Sequence, residues 1–187
     1  MTRTGAAYWE PLWQAGRRYR TLDAWEKDTL VDHVGPGVGR AALDVGCGIG
    51  ELAGHLHGRL GYTVTAIDCS PTALASAQDT YGCPGIDFRL MDFAADDIAD
   101  FPRPAYSLIT CRLVFRWLPD KEAFLDRVRL LLAPGGVFWV ATSVHHPAEG
   151  PAQAWELPPT DAELLTANWS SVRHSSSGTF HCFALRP

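Results

Sequence analysis

The stretch "ALDVGCGIGELAGHL", beginning at Ala42, constrains the fold more than any other part of the chain. An apolar run of strand length leads into glycines at positions 46, 48 and 50. A helical pattern follows, with Leu52, Leu56 and Leu60 on one stripe. A tight strand–turn–helix passage of this kind starts a parallel βαβ unit, and the same alternation runs on through the chain. "TVTAID" and "IDFRLMDF" read as the second and third strands, "YSLITC" as the fourth and "VFWVATS" as the fifth. Between them, Ser70 and Pro71 form a helix start, a cap followed by proline, and "TALASAQDTYG" ends at Gly82. "DKEAFLDRVRLLLAPGG" reads as a helix with a Pro-Gly-Gly stop, and "TDAELLTAN" as a short helix. "SSVRH" and "TFHCFALR" pair around the turn "SSSG"; so short a connection makes them antiparallel. Residues 1–40 read as helical, through "YWEPLWQAGRRYR" and "TLDAWEKDTLVDHV". The segment 144–160 is proline-rich and reads as a loop over the sheet edge.

Length and charge narrow the function classes. The 187 residues fit a single domain, with 1–40 as a helical N-terminal segment and 41–187 as the core. Net charge is −5 and no basic stripe appears, so nucleic acid has no electrostatic foothold. The N-terminus lacks a signal-peptide pattern, and no apolar run approaches the roughly 20 residues that span a bilayer. A cytoplasmic protein that binds no membrane is expected. The five cysteines are scattered, without a C-x-x-C pair, and read as reduced thiols rather than a disulfide or zinc framework. His55 and His57 lie two residues apart and share no helical face, so no metal is expected.

The glycine turn selects among ligands. A G-x-G-x-x-G dinucleotide fingerprint would need glycine where Glu51 stands, and no G-K-[ST] follows for a Walker loop. Glu51 also supplies negative charge at the helix start, which disfavours a phosphate there. Asp44 precedes the turn. Asp68 ends the second strand, about 20 residues past the glycines, where an acid binds ribose hydroxyls. Asp92 and Phe93 close the third strand and suit an adenine, one accepting from its amino group and the other stacking on it. Three strand ends thus face the crevice where open α/β sheets bind ligands.

"LDVGCGIGELA", "TAIDCSPTALASA", "LMDF" and "LLAPGGVFWVAT" resemble the class I S-adenosylmethionine-dependent methyltransferases. The resemblance covers about residues 40–143. It implies a Rossmann-like, doubly wound α/β sheet of seven strands, mostly parallel with an antiparallel C-terminal strand, under an N-terminal helical lid. It also implies S-adenosylmethionine as cofactor and S-adenosylhomocysteine as product. Asp44, Gly46, Cys47, Gly48 and Gly50 would hold the methionine part, and Asp68 the ribose. Cys69, Met91, Asp92 and Phe93 would surround adenine, with Cys111 and Arg112 beside the sulfonium. The chain departs from the family at Ser107, where an acidic residue often begins the fourth strand.

Methyl transfer needs alignment and, for a hydroxyl or protonated amine, a base. His145 and His146 follow the fifth strand and are the candidate bases. Tyr19 and Arg20 could reach the cofactor carboxylate. Tyr8, Trp9, Trp13, Phe115, Arg116 and Trp117 are candidate acceptor walls, with Arg112 and Arg116 one turn apart if that stretch is helical. The implied partner is a small-molecule acceptor, such as a specialised metabolite, met by a monomer or homodimer. Two alternatives stand beside it: a non-methylating reaction on the same cofactor, such as a cyclisation, or a non-catalytic binding module.

Overall fold

The computed structural model describes residues 5–101 and 105–187. Seven strands form one sheet: β1 (Ala41–Val45), β2 (Thr63–Asp68), β3 (Ile86–Leu90), β4 (Tyr106–Arg112), β5 (Leu132–Ser143), β6 (Ser171–Ser177) and β7 (Phe180–Arg186). Their spatial order is β3-β2-β1-β4-β5-β7-β6. The first five run parallel, and β7 lies antiparallel to both β5 and β6. This is the doubly wound, mostly parallel sheet that the alternation implies. The helices are α1 (Ala6–Gln14), α2 (Ala24–Val34), α3 (Glu51–Gly58), α4 (Pro71–Tyr81), α5 (Lys121–Leu131) and α6 (Pro159–Thr166). Among the described residues, no helix is long and apolar enough to cross a membrane.

The chain winds outward through β1, β2 and β3, then returns to lay β4 on the other side of β1. That reversal opens a crevice beyond the carboxyl ends of β1 and β4. Helices cover both faces, so the central strands are buried on both sides. Leu43, Ile109, Phe138 and Val140 face one core with Phe124 and Val128 of α5. Ala42, Leu108, Val137 and Trp139 face the other, with Leu52 and Leu56 of α3 and Leu30 of α2.

Three local expectations are corrected. The Pro-Gly-Gly stop is absorbed into β5, which starts at Leu132 directly after α5. Tyr106 pairs with Leu132, but Leu108 pairs with Val137, so the extra residues bulge out around Gly135 at φ 72. The serines of "SSSG" belong to β6, where Ser175, Ser176 and Ser177 pair with Cys182, His181 and Phe180. The turn is Gly178-Thr179, with Gly178 at φ 59, a short hairpin connection that needs glycine first. Finally, β3 ends at Leu90, leaving Asp92 and Phe93 in the loop beyond it.

Phe124 joins α5 to the sheet, with ring centroids 4.8 Å from Phe93, 5.9 Å from Phe115 and 6.0 Å from Phe138. Phe124→Ala should cost about 3–5 kcal/mol of unfolding free energy, read from urea denaturation. A loss below about 1 kcal/mol would show that these rings do not form a tightly packed unit.

Candidate active site

All three glycines of the turn hold positive φ: 68 at Gly46, 54 at Gly48 and 80 at Gly50. Such values favour glycine. The space around them differs. A Cβ on Gly46 would lie 2.4 Å from Val114, and one on Gly50 would lie 3.0 Å from Ala77 and Phe88. Those two glycines are demanded by the chain's own packing. Only at Gly48 does the contact come from α1: a Cβ there would meet the Trp13 ring at 3.2 Å. Gly48 is the point of the turn that faces α1.

Asp68 holds this turn in place. Its carboxylate accepts from the Gly48 N–H and the Ser70 N–H, each at 2.9 Å. Both oxygens keep further acceptor capacity, enough for hydroxyl donors. Burial pushes this carboxyl above its ordinary value, while its backbone donors pull it down. Ser70 caps α4 by accepting from Ala73 N at 3.0 Å, as the Ser-Pro start implies. Its hydroxyl also donates to Glu10 of α1 at 2.5 Å, and Glu10 accepts from Thr72 Oγ1 at 2.5 Å. These bonds, Ser70 first, lower the Glu10 carboxyl. Glu51 accepts from Leu22 N at 2.9 Å, tying the segment between α1 and α2 to the start of α3.

An aromatic cluster lies over the turn. Trp9 meets Tyr8, Tyr19 and Trp117 edge-on at 4.9, 6.0 and 5.5 Å, and Trp13 meets Tyr19 at 5.1 Å. Tyr8, Trp9, Trp13, Tyr19 and Trp117 are thus brought together between α1 and the turn at Phe115–Trp117. Burial raises the Tyr19 phenol.

Asp44 is 1% exposed. Thr110 donates to its Oδ1 at 2.8 Å, while Oδ2 is buried without a partner. Burial pushes this carboxyl up to about 6. Arg112 sits at the end of the neighbouring strand β4, but its donors go elsewhere. It binds Glu26 of α2 through two bonds, Nε to Oε1 at 2.6 Å and a terminal nitrogen to Oε2 at 3.0 Å. Glu26 is fully buried, and burial raises its carboxyl against the pull of Arg112.

Other expected site residues are placed differently. Phe93 is 4% exposed and packs on Phe101 and Phe124, so its ring belongs to the core rather than to an adenine pocket. Phe115, expected in the acceptor wall, is fully buried in the same core, and so is Cys111, expected beside the sulfonium. Arg20 pairs with Asp23, lies 3.9 Å from Glu26 and covers the Phe180 ring at 4.0 Å, turned to α2 and β7. Arg112 and Arg116 do not share a helix, because β4 ends at Arg112 and Leu113 takes φ 61. Arg116 keeps a buried Nε without a partner. Met91 and Cys47 are half-buried, as is Cys69, whose thiol burial pushes up to about 12. Asp92 accepts from Ala94 N at 3.0 Å and lies close to Gly5 of the N-terminal segment. His145 contacts Glu156 at 3.3 Å, whereas His146 is exposed and accepts from Ala148 N at 3.3 Å.

Residues 43–140 match the family described as a methyltransferase domain. The chain belongs to the class I S-adenosylmethionine-dependent methyltransferases. The chain is 33% identical over 118 residues to carboxy-S-adenosyl-L-methionine synthase of Chromohalobacter salexigens, a match covering 59% of the chain and 43% of the relative. It is 30% identical over 149 residues to trans-aconitate 2-methyltransferase of Mycobacterium tuberculosis, covering 78% and 52%. The chain therefore spans about half the length of these curated relatives. Among solved structures, the DhpI–SAH complex superposes with a TM-score of 0.69 at 23% identity, over 97% of this chain and 91% of that one, a likeness of fold.

The Asp44 carboxyl ties stability to pH. Well below pH 3.8 it is protonated both folded and unfolded. As pH rises from 3.8 to about 6, the unfolded chain releases the proton while the folded chain keeps it. Folding is then progressively opposed, by about 3 kcal/mol at neutral pH. Relative to Asp44→Asn, the parent protein should lose about that much stability between pH 4 and pH 7.5, measured by urea denaturation at each pH. A pH-independent difference would show that Asp44 carries no such shift.

Proposed function

We propose that the chain uses S-adenosylmethionine to methylate a small-molecule acceptor. One observation carries this reading beyond the family match. Asp44 and Asp68 are 1% and 8% exposed at adjacent strand ends, and among the described residues neither is in an ion pair. Buried carboxylates without a cation are costly, and a ligand bearing an ammonium and a sulfonium offsets that cost. When bound, the cofactor supplies a methyl group already activated by the sulfonium. Asp44 Oδ2 would take the ammonium, Asp68 the ribose hydroxyls, and Asp92 the adenine amino group. The names of the relatives support a small acceptor, and the aromatic cluster of α1 suits one with a flat ring.

A second reading keeps the cofactor and changes the reaction. It is favoured by the synthase among the relatives, whose name is not that of a methyltransferase. Methyl-labelled cofactor and a metabolite extract, read by mass spectrometry, separate the two: labelled product supports methyl transfer.

S-adenosylhomocysteine should bind in calorimetry, and Asp68→Ala should weaken that binding by at least about 1 kcal/mol through lost charge-assisted hydrogen bonds. No heat from the parent protein would overturn the cofactor reading. Unchanged affinity in the variant would remove Asp68 from the ribose site.

A further inference from the structure

The segment after β5 folds back and pairs with the end of that strand. Leu157 N donates to Ser143 O at 2.7 Å, His145 N donates to Leu157 O at 2.9 Å, and Val144 bridges Leu157. Leu157 is fully buried and anchors the return in the core. This pairing sets Glu156 beside His145 across the bridge. The Glu156 carboxylate lies 3.3 Å from His145 Nδ1 and also accepts from Gln153 N at 2.8 Å. The two side chains are 11% and 17% exposed, so they are shielded rather than free in solvent.

We propose that Glu156 is a positioning residue that makes His145 the base of methyl transfer, and that the acceptor is a hydroxyl on a flat ring, of the phenol class. The proposal rests on the methyltransferase reading above. With Nδ1–H donating to Glu156, the imidazole carries its free lone pair on Nε2, the arrangement of a base oriented by a third group. The pair stands just past the carboxyl end of β5, the strand that lies beside β4. His146 has no such carboxylate: it is exposed and capped onto Ala148 N. A base is useful to an acceptor that is protonated near neutral pH, and a phenol is one. The rings of Trp9 and Trp117 provide faces for such a ring. In the step, a lone pair of the acceptor oxygen forms the new O–CH3 bond while the S–CH3 bond breaks. The sulfonium becomes a thioether as its sulfur keeps that bond's electrons. The acceptor proton moves to His145 Nε2 and then to solvent.

Two measurements on the full chain test this. Nitrogen NMR of the histidine rings at pH 8, assigned with His145→Gln, should show His145 as the single Nδ1–H tautomer. The isosteric Glu156→Gln should turn it into a tautomer mixture, which a merely structural role for Glu156 would not do. In the second, a panel of phenols, matched with thiols and amines, is incubated with methyl-labelled S-adenosylmethionine. Label should go to the phenols. His145→Gln should lower kcat by about 100-fold or more with S-adenosylhomocysteine affinity unchanged. Glu156→Gln should lower kcat about 10-fold with little change in KM, and His146→Ala should be silent. Parent-like kcat in His145→Gln, an unchanged tautomer in Glu156→Gln, or label only on thiols, on amines or on nothing while S-adenosylhomocysteine binds, overturns the proposal. Absence of S-adenosylhomocysteine binding instead overturns the cofactor reading beneath it.

Discussion

The rest of the crevice hangs on one carboxylate. Asp68 accepts from Gly48 N and from Ser70 N, joining the glycine turn to the start of α4. Ser70 in turn caps α4 and donates to Glu10, so the register of α1 over the crevice is passed along from the end of β2. Each link is short and partly buried, where hydrogen bonds to a charged group count for more than in water.

The opposite side of the crevice is held by a different device. The Arg112–Glu26 pair is bidentate and desolvated, and it binds α2 to the end of β4. Buried pairs of this kind contribute little net stability, but removing one partner is costly. Arg20 adds a second cation near Glu26 and a contact on Phe180. The N-terminal helices are therefore tied down through charge at several points: Glu10 of α1 on α4, and Glu26 and Asp32 of α2 on Arg112 of β4 and Arg173 of β6.

Much of the fold was legible because it depends on local period and capping. Short apolar runs between helical stretches placed the sheet strands, and Ser70-Pro71 marked the start of α4. Elements set by distant pairing were not legible. The bulge at Gly135 exists because β5 must match β4, and the hairpin turn is two residues long because serines 175–177 find partners in β7. In the site, Asp44 and Asp68 could be read from their position at strand ends. Phe93, Cys111 and Phe115 stand beside the same ends, but apolar side chains there turn into the core when α5 offers Phe124 and Val128. Glu26 stands three residues after the Asp23 cap and reads as a solvated first-turn acid, yet it is fully buried. Nothing near it in sequence announces Arg112, 86 residues away. Glu156 was equally silent, since it meets His145 only through the return of the chain onto β5.

α1 differs from every other helix in the sheet's covering layers. It buries no residue fully and carries Pro11 inside, which removes one backbone bond and strains the turn before it. Its attachment is a carboxylate on two hydroxyls and a set of rings meeting edge to face. Such an element sits at the low end of the molecule's range of local opening energies. Release of α1 would uncover the crevice without breaking a single strand pairing of the sheet beneath it.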